Sequence, residues 1–183
     1  MLCAINARFG VKQDGNGERM KSFAECIDEY RKQIKKGDIQ KAYRGIMEYV
    51  MHLKSYFATR YPDCVVSGSI YYGYMDMTYF SIFPEQLKRK KLKIAVVFLH
   101  DPLHFEVWLA GSNKQVQTKY WKLLKESNWN KYHIPASIKG EDSIMEQVLA
   151  DDPDFSDLDA LTKQIEKGTS KFIQDVVTFL SKK

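Results

Sequence analysis

Cysteine is scarce in this sequence, and its few copies lie far apart. The chain has three cysteines among 183 residues, Cys3, Cys26 and Cys64, and no Cys-x-x-Cys pair. An odd number at such wide spacing excludes a disulfide framework and offers no zinc-ribbon pattern. We therefore expect a reducing, cytoplasmic environment.

Long apolar runs and the common phosphate-binding motifs are also missing. No window approaches the roughly 18 consecutive apolar residues of a membrane span, and the apolar run at the start is too short for a secretory signal. Neither G-x-x-x-x-G-K-S/T nor G-x-G-x-x-G occurs, and there is no G-x-S-x-G elbow. The sequence thus disfavours nucleotide-dependent enzymes and membrane partners, and it predicts no cofactor, no metal and no catalytic residue.

What the chain does have is an ordinary globular composition with an uneven charge distribution. Apolar residues make up 44% and charged residues 28%, with a net charge of +5. Between Glu141 and Asp159 there are eight acidic and no basic residues, whereas residues 85–131 hold ten basic and four acidic ones. A basic face that attracts a polyanion is therefore possible, although a solvated lysine surface explains the same pattern. The candidate contacts to nucleic acid are Lys88, Arg89, Lys90, Lys91 and Lys93.

Two amphipathic helices are predicted before residue 61. Apolar residues recur at steps of three and four from Arg19 to Lys36, and Gly37 is a natural helix stop. Asp38 can cap a second helix that runs to about Arg60. Because the turn is short, the pair should form a helical hairpin.

Four strands are predicted next, at residues 66–72, 74–83, 92–99 and 105–110. The run LKIAVVFL is apolar on both faces, as a central strand would be. The turn at His100-Asp101-Pro102-Leu103 should join the last two strands as an antiparallel hairpin. We expect His100 and His104 to be solvent-exposed turn residues.

Helices dominate the remainder of the chain. Ser112 or Asn113 can cap a helix through Glu126, residues 143–150 are predicted as a short helix, and a long helix should follow Asp157. Because helices and strands are segregated, the fold class is α+β: a mostly antiparallel four- to five-stranded sheet with an N-terminal helical hairpin and C-terminal helices. Residues 1–18 are predicted to be a flexible arm and residues 19–183 a single domain.

Four motifs resemble a known family: YYGYMDMTYF, FEVWLAGSNKQVQTKYW, ESNWNKYH and PDFSDLDALTKQIEKG. The sequence is similar to a family of uncharacterised prokaryotic proteins known only as a domain of unknown function. The resemblance covers about Arg19 to Leu180 and implies a single cytosolic α+β domain. It transfers no catalytic residue.

Aromatic residues are the most suggestive feature for function. They cluster on the predicted strands with few polar groups among them, as in a non-catalytic site for a small molecule or a partner protein. Core packing explains the same aromatics. The candidate ligand-binding residues are Tyr72, Tyr74, Asp76, Tyr79, Glu106, Trp108, Asn113 and Trp121.

A second hypothesis combines nucleic-acid binding with metal-assisted phosphodiester hydrolysis. Asp76 and Glu106 lie on suitable strands for a divalent ion, and Lys93 on the neighbouring strand could stabilise charge at phosphorus. The lysine that restriction-type nucleases carry two positions after the glutamate is absent, since Trp108 stands there. Whether the protein is an enzyme is left open by the sequence.

Overall fold

A computed structural model describes residues 21–127 and 129–182. Contacts within the chain divide it into two units, the first ending at Glu48 and the second beginning at Tyr49. The predicted flexible arm, residues 1–18, lies outside the described residues, and the single domain over 19–183 stays a prediction.

The first unit contains helix α1 (Phe23–Lys36) and the beginning of helix α2 (Asp38–Arg60). Ser22 and Glu25 form a capping box at the start of α1, in which each side chain bonds the other residue's backbone N–H. Gly37 ends α1 with a φ of 83°, a left-handed conformation that glycine adopts without steric cost. The two predicted helices are therefore present, although no residue of α1 is buried.

The second unit is built on one antiparallel sheet of six strands. The strands are β1 (Val65–Val66), β2 (Tyr71–Tyr72), β3 (Met77–Phe83), β4 (Leu92–Leu99), β5 (His104–Gly111) and β6 (Met145–Ala150). Their order is β1-β3-β4-β5-β6, and β2 also pairs with β3. The α+β class is confirmed. The sheet has six strands rather than four or five, because the strand predicted over residues 66–72 is divided into β1 and β2 and because β6 lies where a helix was predicted.

Three further helices accompany the sheet in the described residues: α3 (Glu85–Lys88), α4 (Lys114–Glu126) and α5 (Leu158–Leu180). Asn113 caps α4 by accepting a hydrogen bond from the Val116 backbone N–H at 2.9 Å. Asp157 caps α5 in the same way through Ala160. Both starting points agree with the sequence prediction.

The prediction of a helix over residues 143–150 is wrong. Ile144, Met145, Val148 and Leu149 have a helix-like spacing, but residues 145–150 instead pair with β5 as an edge strand. The strand's partner is distant in sequence, and tertiary pairing overrides such a weak local pattern.

Strand register divides the sheet into two faces, because directly paired residues point to the same side. We call one side the core face; it carries the paired residues Phe80, Val96 and Val107, each at most 2% exposed. Ring contacts from α2 cover it, Tyr49 against Phe105 and Phe57 against Phe80.

We call the other side the cavity face. It carries Tyr79 paired with Val97, which in turn pairs with Glu106, and Ala95 paired with Trp108. Tyr71 joins this face because it pairs with Tyr79. The same strands thus present apolar residues on one side and a mixture of rings, small residues and charges on the other.

The segment that follows α4 contacts α5 through aromatic and charged side chains. Trp129 stacks on Phe179 at 4.4 Å between centroids, and the Tyr132 hydroxyl donates to Asp175 Oδ2 at 2.5 Å. Lys131 Nζ lies 2.6 Å from the same oxygen. Burial raises the pKa of Asp175, but hydrogen bonds from Lys131, Tyr132 and Lys171 outweigh it and hold that pKa at about 2.

Candidate ligand cavity on the sheet

A cavity of about 330 Å³ opens on the cavity face. Its volume is at the small end of the range for ligand sites. Strands β2 to β5, the start of α4 and the loop before β6 all contribute to it. The lining residues are Tyr71, Met77, Tyr79, Lys93, Ala95, Trp108, Ala110, Gly111, Asn113, Lys114, Gln117 and Asp142.

Large rings and small side chains alternate around this cavity. Tyr71 and Tyr79 stack with centroids 4.9 Å apart and planes 25° apart, because their strands place them opposite each other. Ala95 and Ala110 lie on the same face as Trp108 and fill little of the space beside it. The cavity therefore follows from short side chains in the middle of a ring-lined sheet face.

Lys93 is the charged group most enclosed by these rings. Its Nζ lies 5.0 Å from the centroid of the Tyr79 ring, close enough for a cation–π interaction. Burial lowers the pKa of Lys93, and the negative charge of Asp142 opposes that shift. Among the described residues, no carboxylate oxygen lies within 4.0 Å of this amine.

Tyr79 is affected by the same surroundings. Burial raises the pKa of its hydroxyl, and Tyr71 and Asp142 raise it further. The Tyr79 side chain therefore stays neutral near pH 7 and can act as a hydrogen-bond donor or as a ring surface.

The rim of the cavity is held by bonds between α4 and the loop before β6. Lys114 Nζ donates to the Glu141 carbonyl at 2.8 Å and lies 3.9 Å from an Asp142 carboxylate oxygen. The buried Gln117 amide donates to the same Glu141 carbonyl at 2.9 Å. Gly111 allows the first turn of α4 to lie close to the end of β5, because a Cβ at residue 111 would come within 2.7 Å of the Gln117 backbone nitrogen.

A polar chain continues from the cavity toward the end of β5. Glu106, only 8% exposed, accepts a hydrogen bond from the Trp108 indole N–H and lies 2.8 Å from His104 Nε2. The other imidazole nitrogen of His104 is 3.4 Å from Asp151 Oδ1. These bonds fix the orientation of the Trp108 ring at the cavity wall.

The comparison with family models places this fold in a family. A model described as a domain of unknown function, DUF7000, matches residues 23–180. The chain belongs to the DUF7000 family. No curated protein and no solved structure matches it significantly. The predicted membership of a family of unknown function is confirmed by this match, which leaves activity and ligand unassigned.

Only part of the predicted ligand-binding set meets at the cavity of this DUF7000 domain. Tyr79, Trp108 and Asn113 line it, and Glu106 bonds to the Trp108 ring. Tyr71 also lines the cavity and belongs to the aromatic residues that the sequence predicts on the strands as possible pocket residues. Asp142 is not indicated by sequence patterns, because it lies in a loop remote in sequence.

The other four predicted residues lie outside the cavity lining. Tyr72 pairs with Thr78 and so points to the opposite side from Tyr71. Tyr74 is 100% exposed in the β2–β3 turn, and Asp76 accepts a hydrogen bond from the Met77 N–H at 2.7 Å. Trp121 donates its indole N–H to the Pro135 carbonyl at 2.9 Å.

The basic segment of the DUF7000 domain is divided between solvent and a groove. Arg89 pairs with Glu85 across one helical turn at 3.0 Å, with both side chains exposed. Lys88, Lys91 and Lys93 line a neighbouring groove of about 280 Å³ together with Phe83, Leu92 and Ser112. Lys93 therefore borders both the groove and the cavity.

The two histidines of the β4–β5 turn differ from the prediction. His104 has a side chain only 13% exposed because Glu106 and Asp151 flank its ring. His100 lies 3.1 Å from the Thr78 hydroxyl, and burial lowers its pKa while Asp76 opposes that change. Both rings are fixed by side-chain bonds rather than left in solvent.

Two negative findings concern the described residues only. Over residues 21–127 and 129–182, no three His, Cys, Asp or Glu side chains are grouped so that they could hold a metal ion. Asp76 and Glu106 are each engaged by separate partners, so the metal-dependent hypothesis gains no support from them. Within the same ranges, no helix of the DUF7000 domain has the length and apolar character to cross a bilayer.

Proposed function

We propose that this DUF7000 domain is a non-catalytic binding module and that its ligand is a small molecule held in the cavity on the sheet. The observation that carries the proposal is the lining itself. Stacked tyrosines and a tryptophan surround short alanine side chains, and one half-buried lysine points among them. Apolar concave walls with few polar groups are typical of small-molecule sites.

The concave shape favours a small molecule over a partner protein. Protein interfaces of ordinary size involve about 20–30 residues on each partner, whereas twelve residues line this cavity. Rings on two sides of the space suit a flat ligand, because aromatic contacts add to the free energy of burial.

A matched pair of variants tests the proposal. Tyr71 and Tyr72 are neighbours on one strand with similar exposure, 44% and 50%, yet only Tyr71 faces the cavity. Screening planar aromatic fragments by two-dimensional NMR should reveal binders whose shifts centre on the Trp108 indole. We expect Tyr71→Ala to weaken them about tenfold, the effect of about 1.4 kcal/mol of lost contact, and Tyr72→Ala to leave them unchanged.

A second variant closes the space. Ala95→Leu adds bulk on the cavity face beside Trp108, and binding should disappear while the fold persists. Fragments that bind Ala95→Leu and the native chain equally would place the ligand elsewhere and refute the proposal.

A second candidate function is nucleic-acid binding through the basic segment. The observation that favours it is the groove at which Lys88, Lys91 and Lys93 converge beside the Phe83 ring, since single-stranded nucleic acid is bound by cations and stacking rings. Retention of labelled single-stranded DNA or RNA at low salt, lost as salt rises, should fall in a Lys88→Gln, Lys91→Gln variant. No retention at low salt would eliminate this candidate.

We also propose that the protein is located in the cytoplasm. Cys26 and Cys64 are free thiols, as a reducing compartment allows. Cell fractionation with a compartment marker tests this placement, and recovery outside the cytoplasmic fraction would overturn it.

A further inference from the structure

We propose that the ligand of the cavity is a planar anion: its negative group pairs with Lys93 Nζ, and its ring system lies against Tyr79 and Trp108. This inference rests on the proposed small-molecule function and adds the chemical class of the ligand. An aromatic carboxylate or an aryl phosphate monoester has the required chemistry.

The Lys93 amine is enclosed without a carboxylate partner among the described residues. It stands beside the Tyr79 ring in a cavity, and no carboxylate of the described residues lies within 4.0 Å of it. Removing an ammonium group from water without an anionic partner costs free energy, which is why enclosed charges are nearly always paired. A ligand anion would supply the missing partner.

The charged residues of the cavity lining leave one positive charge in excess. They are Lys93, Lys114 and Asp142. Lys114 and Asp142 lie 3.9 Å apart at the rim, so the positive charge left over is that of Lys93. Glu106, the nearest carboxylate along β5, is already occupied by the Trp108 indole N–H and by His104.

The space beside the Lys93 amine has apolar walls. Lys93 pairs with Ala110 on β5, and its Nζ lies over the ring of Tyr79, which projects from β3 on the same face. A ring face and a methyl group therefore border this space, and the Asp142 carboxylate lies more than 4.0 Å from the amine. A compact anion such as inorganic phosphate would leave these apolar walls in water, whereas a flat anion uses both kinds of contact.

The test compares four probes that separate charge from shape: 2-naphthoate, 2-naphthamide, cyclohexanecarboxylate and inorganic phosphate. Affinity is measured by NMR titration of the full chain. We expect 2-naphthoate to bind about tenfold more tightly than 2-naphthamide, which corresponds to one charge-assisted hydrogen bond, and the two non-aromatic anions to bind most weakly. An arm with 1-naphthyl phosphate then distinguishes a phosphate monoester from a carboxylate.

Variants locate the charge. In Lys93→Gln, 2-naphthoate and 2-naphthamide should bind with about equal affinity. In Lys93→Arg, the preference for 2-naphthoate should remain. Lys163→Gln makes the same change in net charge at an exposed position of α5, away from the cavity lining, and should change nothing. Asp142→Asn removes the opposing carboxylate at the rim and should strengthen naphthoate binding severalfold.

The possible results test the anion inference and the small-molecule proposal separately. If 2-naphthoate and 2-naphthamide bind the cavity equally, or if Lys93→Gln keeps the preference, the anion inference is wrong and the small-molecule proposal stands. If none of the aromatic probes shifts the Trp108 indole resonance, both fail. If the preference depends on Lys93, survives in Lys163→Gln and increases in Asp142→Asn, the inference is supported.

Discussion

The two faces of one sheet are the most instructive comparison within this molecule. On the core face, Phe80, Val96 and Val107 are almost wholly buried, and rings of α2 cover them. On the cavity face, the alternate residues of the same strands include Tyr79, Lys93 and Trp108, which are partly exposed. The difference indicates that the core face is buried throughout, whereas the cavity face combines buried residues such as Val97, 0% exposed, with partly exposed groups that are suited to binding.

The largest expected effect comes from neighbouring residues of β3. Phe80→Ala removes a ring that is 1% exposed and contacts Phe57, and it should cost about 3–5 kcal/mol of unfolding free energy. Tyr79→Ala, on the cavity face, should cost about 1 kcal/mol. Urea denaturation measures both losses, and equal losses would show that Tyr79 and Phe80 contribute alike to the free energy of unfolding.

The next effect concerns the junction of β5 and α4. In Gly111→Ala the new methyl group meets the Gln117 backbone nitrogen at 2.7 Å, so we expect a loss of about 1–3 kcal/mol. Gly68→Ala is the control, because nothing lies within 4 Å of the corresponding position, and it should be neutral or stabilising by about 0.4–1 kcal/mol. If thermal unfolding shows no difference between the two, the tight packing at Gly111 is not maintained in solution.

A third prediction concerns pH and lies away from the cavity. The folded-state pKa of Asp175 is lowered from 3.8 to about 2, so its carboxylate stabilises the fold above about pH 4, and this contribution is lost as the pH falls toward 2. Asp175→Asn should lower stability by about 1–2 kcal/mol at pH 7, allowing for the partial exposure of the side chain. Denaturation curves from pH 7 to pH 2 should converge for the two proteins, and a constant difference over that range would contradict the assignment.

The smallest effect has the opposite sign. Lys93→Met replaces an enclosed amine that has no anionic partner among the described residues, and it should be neutral or stabilising by up to about 1 kcal/mol. Lys163→Met on the exposed side of α5 should stay within about 0.5 kcal/mol of the native value. If Lys93→Met clearly destabilises the protein and Lys163→Met does not, Lys93 is a structural residue, and this result would argue against a role in ligand binding.

Sequence patterns are sufficient for most of the helices and strands and insufficient for the candidate site. The α+β class, the helices up to Arg60 and the β4–β5 hairpin follow from periodicity, caps and turn residues. The strand at 145–150 did not, because its pairing with β5 is a tertiary event. Short edge strands carry little local signal of their own.

The candidate site could be predicted only in part, because residue alternation shows which side chains share a face and not which of them border a cavity. Alternation along β3 and β5 indicates that Tyr79 and Trp108 share a face, but not that small residues between them leave a cavity. Lys93 was assigned to a basic segment because four of its neighbours in sequence are also basic. Its position on β4 brings its amine to the Tyr79 ring on the cavity face, although Lys93 also borders the groove with Lys88 and Lys91.

In the proposed arrangement, the cavity face binds a planar anion, while the core face is buried against α2. The most direct test is an NMR titration of the native chain and of Ala95→Leu with 2-naphthoate. We expect saturable shifts centred on the Trp108 indole and on the Gly111 and Gln117 amides in the native chain, and none in Ala95→Leu. Shifts of equal size in both proteins, or shifts centred elsewhere, would show that the cavity is not the binding site.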